Sequence, residues 1–145
     1  MIKAIGCASA AVVVLGLAGS ALAQDWPGPE WSHVQVGDWD LVSESDSGML
    51  TLMKPARGAG VRAWSRAEFL QPTELDFQSM VSLIEFDCSQ DRMRHIQSTF
   101  YGGTNMSGTS EMMGLGEWTY TAPGTIGAGQ VDYACGRGRW SIAGN

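Results

Sequence analysis

Cys88 and Cys135, His33 and His95, the methionines Met106, Met112 and Met113, and the arginines Arg62, Arg66, Arg92 and Arg94 are the side chains whose types and spacing could carry chemistry in this sequence. Neither histidine belongs to a Gly-x-Ser-x-Gly elbow or any other nucleophile, base and orienter set, so no catalytic residue is nominated and a non-enzymatic protein is expected. A zinc site needs ligands at characteristic spacings. His95 stands alone in the strand facing Cys88, and the two cysteines are better used on each other, so neither metal nor cofactor is expected. The three methionines lie in a stretch rich in Gly, Ser and Thr and could offer soft thioether ligands to Cu(I). Adaptable packing is the commoner use of methionine.

The arginines offer a different chemistry. Arg62 and Arg66 alternate with Ala63 and Ala67, so with Trp64 they fall on one side of a strand, and Arg92 and Arg94 have the same period-two spacing. Together they could form a basic, aromatic stripe that meets an acidic glycan or an acidic segment of a partner protein. Trp64 either packs at a dimer or ligand surface or covers a satellite core, and core or homodimer packing is the stronger expectation. The stronger expectation is that these cations pair across strands with Asp40, Glu68 or Glu85 on a solvated sheet face. Charge is segregated along the chain. Residues 24–50 carry Asp25, Glu30, Asp38, Asp40, Glu44 and Asp46 with no Lys or Arg, whereas residues 54–66 carry Lys54, Arg57, Arg62 and Arg66 with no acid.

The chain that must position these groups has 145 residues and 44% hydrophobic content, enough for one modest core. Six tryptophans and 19 glycines with only 17% charged residues predict ordered, turn-rich structure. A net charge of -6 disfavours nucleic acid as a partner, because a phosphate backbone is held by clustered cations. Lys3, the apolar run at residues 8–17 and the small residues Ala21 and Ala23 read as a signal peptide over residues 1–23, cleaved between Ala23 and Gln24. Interrupted by Gly16, Gly19 and Ser20, the run is short for a bilayer span of about 20 residues. No integral membrane segment is therefore expected after cleavage. Cys7 precedes the apolar run, where a lipidation cysteine would follow it. The reading is an exported protein, periplasmic or secreted. In an oxidising compartment Cys88 and Cys135 are the one remaining pair, and their bridge would close a loop of roughly 46 residues worth about 4 kcal/mol.

Residues 24–37 contain Pro27, Gly28 and Pro29 and read as an irregular lead-in carrying Trp26 and Trp31. Residues 39–42 and 49–53 flank a turn cluster at 43–48, a hairpin. Residues 61–69 alternate as a half-buried strand, and residues 80–88 and 92–101 form a second hairpin around residues 89–91, with Ser82, Ile84, Phe86 and Cys88 on one face. Residues 102–116 read as a loop and 117–121 as a final edge strand. Thr125 is a fitting N-cap and Gly136 a fitting residue just past a helix end, although Gly127 and Gly129 each disfavour that helix by roughly 1 kcal/mol.

Val61-Arg62-Ala63-Trp64, the run from Ser82 to Cys88 followed by Arg92-Met93-Arg94, then Phe100-Tyr101-Gly102-Gly103, Trp118, Pro123-Gly124-Thr125 and Tyr133-Ala134-Cys135 resemble, in order and spacing, the bacterial surface-adhesin protein E family. The resemblance covers residues 38–136, with residues 137–145 as a tail. It implies an α+β fold, a single antiparallel sheet of about six strands with a C-terminal helix packed on one face and tied to it by the Cys88–Cys135 disulfide. It also implies adhesion, since the best-known member binds host matrix proteins such as vitronectin and laminin from the cell surface, where it is held as a lipoprotein. The alternative is a periplasmic structural or small-ligand protein of the envelope with no adhesin role.

Overall fold

The computed structural model describes residues 27–137. The expected signal peptide, the Ala23–Gln24 cleavage point, Trp26 and residues 138–145 lie outside them. A short 3-10 turn at Pro29–Trp31 precedes β1 (Asp40–Ser45), β2 (Met49–Pro55), β3 (Val61–Phe69), β4 (Ser79–Asp87) and β5 (Arg92–Tyr101), which pair antiparallel in chain order. β6 (Ser110–Met113) and the two-residue β7 (Thr119–Tyr120) both pair with β5, at its two ends. The helix α1 (Ile126–Ala134) closes the fold. This is the α+β architecture expected, one antiparallel sheet with a single C-terminal helix on one face.

Two local readings change. Residues 102–116 are not loop throughout, because Ser110–Met113 add as a strand to the outer end of β5. In addition, the first turn is tighter than residues 43–48. Ser43, Glu44 and Ser45 extend β1, and Gly48 alone supplies the positive φ of 79° that returns the chain.

The apolar run of β2 lacks alternation because both of its faces are covered. On one face Met53, Ala63, Ile84 and Phe86 pack against Val131 of α1, with Val42, Met93 and Tyr133 around them. On the other, Leu50 and Leu52 pack against Trp31 and Val34 of the lead-in, with Trp39, Leu41 and Leu70. Residues 27–39 are thus a second cover, laid on the sheet face opposite the helix.

Thr125 caps α1, its hydroxyl accepting the Ala128 backbone N–H at 3.3 Å, and Gly136 at φ 66° ends it. The helix is short and contains two glycines, so tertiary ties hold it. Cys135 is bonded to Cys88 just beyond β4, with the Cα atoms 5.8 Å apart. Gln130 donates to Ser65 Oγ at 2.8 Å, and the Tyr133 hydroxyl donates to Asp40 at 2.6 Å. Burial and the neighbouring Asp40 carboxylate hold the Tyr133 phenol far above its usual range.

Beneath the lead-in lies a buried ion pair. Arg66 is 1% exposed and Glu68 fully buried, and Arg66 Nε donates to Glu68 Oε1 at 2.7 Å. Arg66 also donates to the Gln35 carbonyl and the Asn105 side chain, both at 2.8 Å, while both Glu68 oxygens accept the Asn105 backbone N–H at 3.0 Å. Asn105 completes the clasp by donating to the His33 carbonyl and accepting from the Gln35 N–H. The lead-in, β3 and the loop after β5 are fastened at one point.

Replacing both cysteines with serine is expected to cost about 2–4 kcal/mol in denaturant unfolding, with amide protection lost first in α1. Glu68→Gln leaves the buried guanidinium without its counter-charge and is expected to cost about 3 kcal/mol, with faster hydrogen exchange at residues 33–35 and 103–107. Unchanged exchange there would show that the pair does not fasten these segments.

Candidate functional site

The exposed part of the lead-in face carries charge in register. β3, β4 and β5 place Arg62, Glu85 and Arg94 directly opposite one another, a straight row of alternating sign across three strands. Arg94 Nε donates to Glu85 Oε2 at 2.7 Å, and Arg62 reaches Glu85 Oε1 at 3.5 Å. One row further, Arg92 Nε donates to Asp87 at 3.0 Å. Trp118, just before β7, lies across this row, its ring centroid 4.7 Å from the Arg94 guanidinium carbon and 4.8 Å from that of Arg92. Tyr120 stands 5.9 Å from Arg92 and donates its hydroxyl to Gln90.

The strip continues toward the lead-in. Trp64 is the register partner of Leu83 on one side and Lys54 on the other, and Lys54 sits 4.5 Å above the Trp39 ring while pairing with Asp38 at 3.2 Å. The half-buried Trp64 and Trp118 expose flat aromatic surface beside guanidiniums. Such Trp and Arg pairings are the side chains most enriched at binding hot spots.

Of the five residues that sequence reasoning placed at a binding surface, Arg62, Trp64, Arg92 and Arg94 share this face. Arg66 does not. It points to the same side of β3, but residues 31–39 cover it there and its charge is spent on Glu68. The expected cross-strand pairing holds for Arg62 with Glu85, whereas Arg66 pairs along its own strand and Asp40 serves Tyr133 instead. Trp118 and Tyr120 were missed as site residues. Their signal was present in the aromatic alternation Trp118-Thr119-Tyr120, but only the antiparallel return of β7 onto Arg92 and Met93 brings it to the arginines.

Other candidates disperse. Met112 and Met113 are adjacent on β6 and therefore point to opposite faces, and Met106 lies in the Asn105 loop, so the three thioethers do not converge. His95 faces the helix side with Nδ1 3.3 Å from Ser98 Oγ, and burial pushes its pKa down. His33 lies at the surface near Trp31. Among the described residues no group of three or more His, Cys, Asp or Glu is arranged to hold a metal ion.

A single antiparallel sheet is covered on opposite faces by a disulfide-tied helix and a clasped lead-in, and its uncovered surface bears the arginine and tryptophan ladder. A family model described as Surface-adhesin protein E matches residues 39–136, and the chain belongs to that family. No curated protein and no solved structure matches the chain. The family supports a surface adhesin-like role and implies a surface or exported location. No described helix is long and apolar enough to cross a membrane.

The guanidiniums of Arg94 and Arg62 hold the Glu85 carboxyl below its ordinary value of 4.5, the Arg94 hydrogen bond contributing most. A carboxyl lowered in the folded state contributes stability above the unfolded value and loses it as pH falls through the folded one. Acidification below about pH 4.5 should therefore release both arginines and shift Trp118 emission. Glu85→Gln is expected to flatten that acid transition; an unaltered transition would assign it to another carboxylate.

Proposed function

We propose that this domain is an exported, non-enzymatic interaction module of the bacterial cell envelope that holds a protein or glycan partner on the Arg62, Trp64, Arg92, Arg94 and Trp118 face. The observation carrying this reading is the Arg62–Glu85–Arg94 row with Trp118 across it, on sheet surface that neither α1 nor the lead-in covers. Glu85 and Asp87 keep the guanidiniums extended and aligned, so little side-chain freedom remains to be lost on binding. The aromatic rings supply contact area and the arginines supply directed donors to carboxylates, sulfates or backbone carbonyls.

A second reading follows from the same pairing. Because each arginine of the row already meets a carboxylate, the face is close to neutral, which suits a housekeeping role inside the envelope without a host target. Protease treatment of intact cells against cells with a permeabilised outer membrane separates the two. Digestion on intact cells supports the adhesive reading, and protection until permeabilisation supports the periplasmic one.

Capture of the purified domain on immobilised vitronectin, laminin and acidic glycans is expected to weaken at least tenfold with Trp118→Ala or Arg94→Gln at unchanged melting temperature, and to weaken with added salt. Equal capture by wild type and both variants would remove this face from the reading.

A further inference from the structure

On the helix-side face, beyond the reach of α1, an open groove of about 510 Å³ runs between the loop after β3 and the edge strand β6. Its floor is aromatic. Phe77 packs edge-on against Phe100 at 4.9 Å and against Phe69 at 5.4 Å, so the rings are held in a fixed herringbone. Leu75 and Met113 stand at its rims, 81% and 58% exposed.

The groove is acidic by default. Asp76 and Glu111 line it, no Lys or Arg does, and among the described residues neither carboxylate is paired with a cation. Among the described residues every other cation except Arg57 is committed: Lys54 to Asp38, Arg62 and Arg94 to Glu85, Arg66 to Glu68, Arg92 to Asp87, and Arg137 to Asp91. The second feature is backbone. β6 ends the sheet order and pairs only with β5 among the described strands, so its outer row of N–H and C=O groups is open.

We infer that β6 and this groove form a docking strip for an extended, positively charged peptide segment of a partner protein, which adds as a further strand to β6. Side-chain period two then dictates what the segment must present. The residue opposite Glu111 shares its face, so a Lys or Arg there meets the carboxylate as a cross-strand pair and reaches over Phe77 and Phe100, where ring faces favour a cation. The residue opposite Met113, two positions away, lies on the same face and is apolar. The residue opposite Met112 lies on the other face and is apolar as well, because Met112 is itself 67% exposed. This strip is separate from the arginine ladder and selects the opposite charge.

The test uses the peptide fluorescein-Thr-Arg-Val-Ile-Val-Arg-Thr-amide, whose palindromic sequence suits either strand direction, read by anisotropy against the full chain. Saturable binding is expected, weakened at least tenfold by Glu111→Lys and several-fold by Asp76→Asn, a change compatible with the positive φ of 59° at that position. Alternate N-methylation of the peptide should abolish binding by blocking one hydrogen-bonding edge. Equal binding of a peptide with Glu in place of Arg, or indifference to Glu111→Lys, would overturn the proposal. Displacement by tetramethylammonium together with indifference to N-methylation would instead make the groove a small-cation site. Sedimentation showing that wild type self-associates through β6 and thereby excludes the peptide would make a second copy the occupant. Both results would overturn the strand-addition proposal.

Discussion

The burial of Arg66 and Glu68 is the constraint on which the rest of the arrangement depends. An ion pair removed from water needs close geometry and further hydrogen bonds to offset its desolvation. Here those bonds come from segments distant in sequence, the Gln35 carbonyl and Asn105. The lead-in therefore lies across one face of β2 and β3, and β2 becomes apolar on both sides. Because the lead-in stops at Trp39, the remainder of that face stays open to water and can carry the Arg62, Glu85 and Arg94 row. Fold and surface are parts of one partition, in which one half of the sheet is covered and the other presented.

The opposite face is divided in the same way. α1 covers Met53, Ala63, Ile84 and Phe86 and stops short of Phe77 and Phe100, which leaves the aromatic groove. A nine-residue helix with two internal glycines has little stability of its own. Its position is set by Cys135, Gln130 and Tyr133, each tied to a different part of the sheet.

Much of this was legible in the residues. Period two in residues 61–69 and 80–88 assigned the sheet faces correctly, Thr125 and Gly136 marked the helix ends, and two cysteines in an exported chain left one pairing. What escaped was the burial of Arg66. Strand alternation tells which side a residue points to but not whether that side is covered, and residues 31–36, broken by turns, carry no periodicity to announce a packing surface. β6 escaped for a related reason. Its Ser-Glu-Met-Met sequence is four exposed residues within a Gly and Ser rich stretch, and only pairing with β5 makes it a strand. Trp118 could not be joined to Arg92 and Arg94 by spacing alone, since the contact depends on where the chain returns after β6.

The disulfide has a mechanical consequence. Tension drawing the two ends of the domain apart enters from the C-terminal side at Cys135 and passes through the sulfur bridge directly to Cys88 and β4. The chain between the two cysteines, with β5, β6, β7 and α1, lies outside the line of force. β1 to β4 would bear the load and unzip first, while Arg92, Arg94, Trp118 and the β6 edge stay in an unloaded loop. End-to-end tension on a domain built this way loads β3 with Arg62 and Trp64 and bypasses Arg92, Arg94 and Trp118.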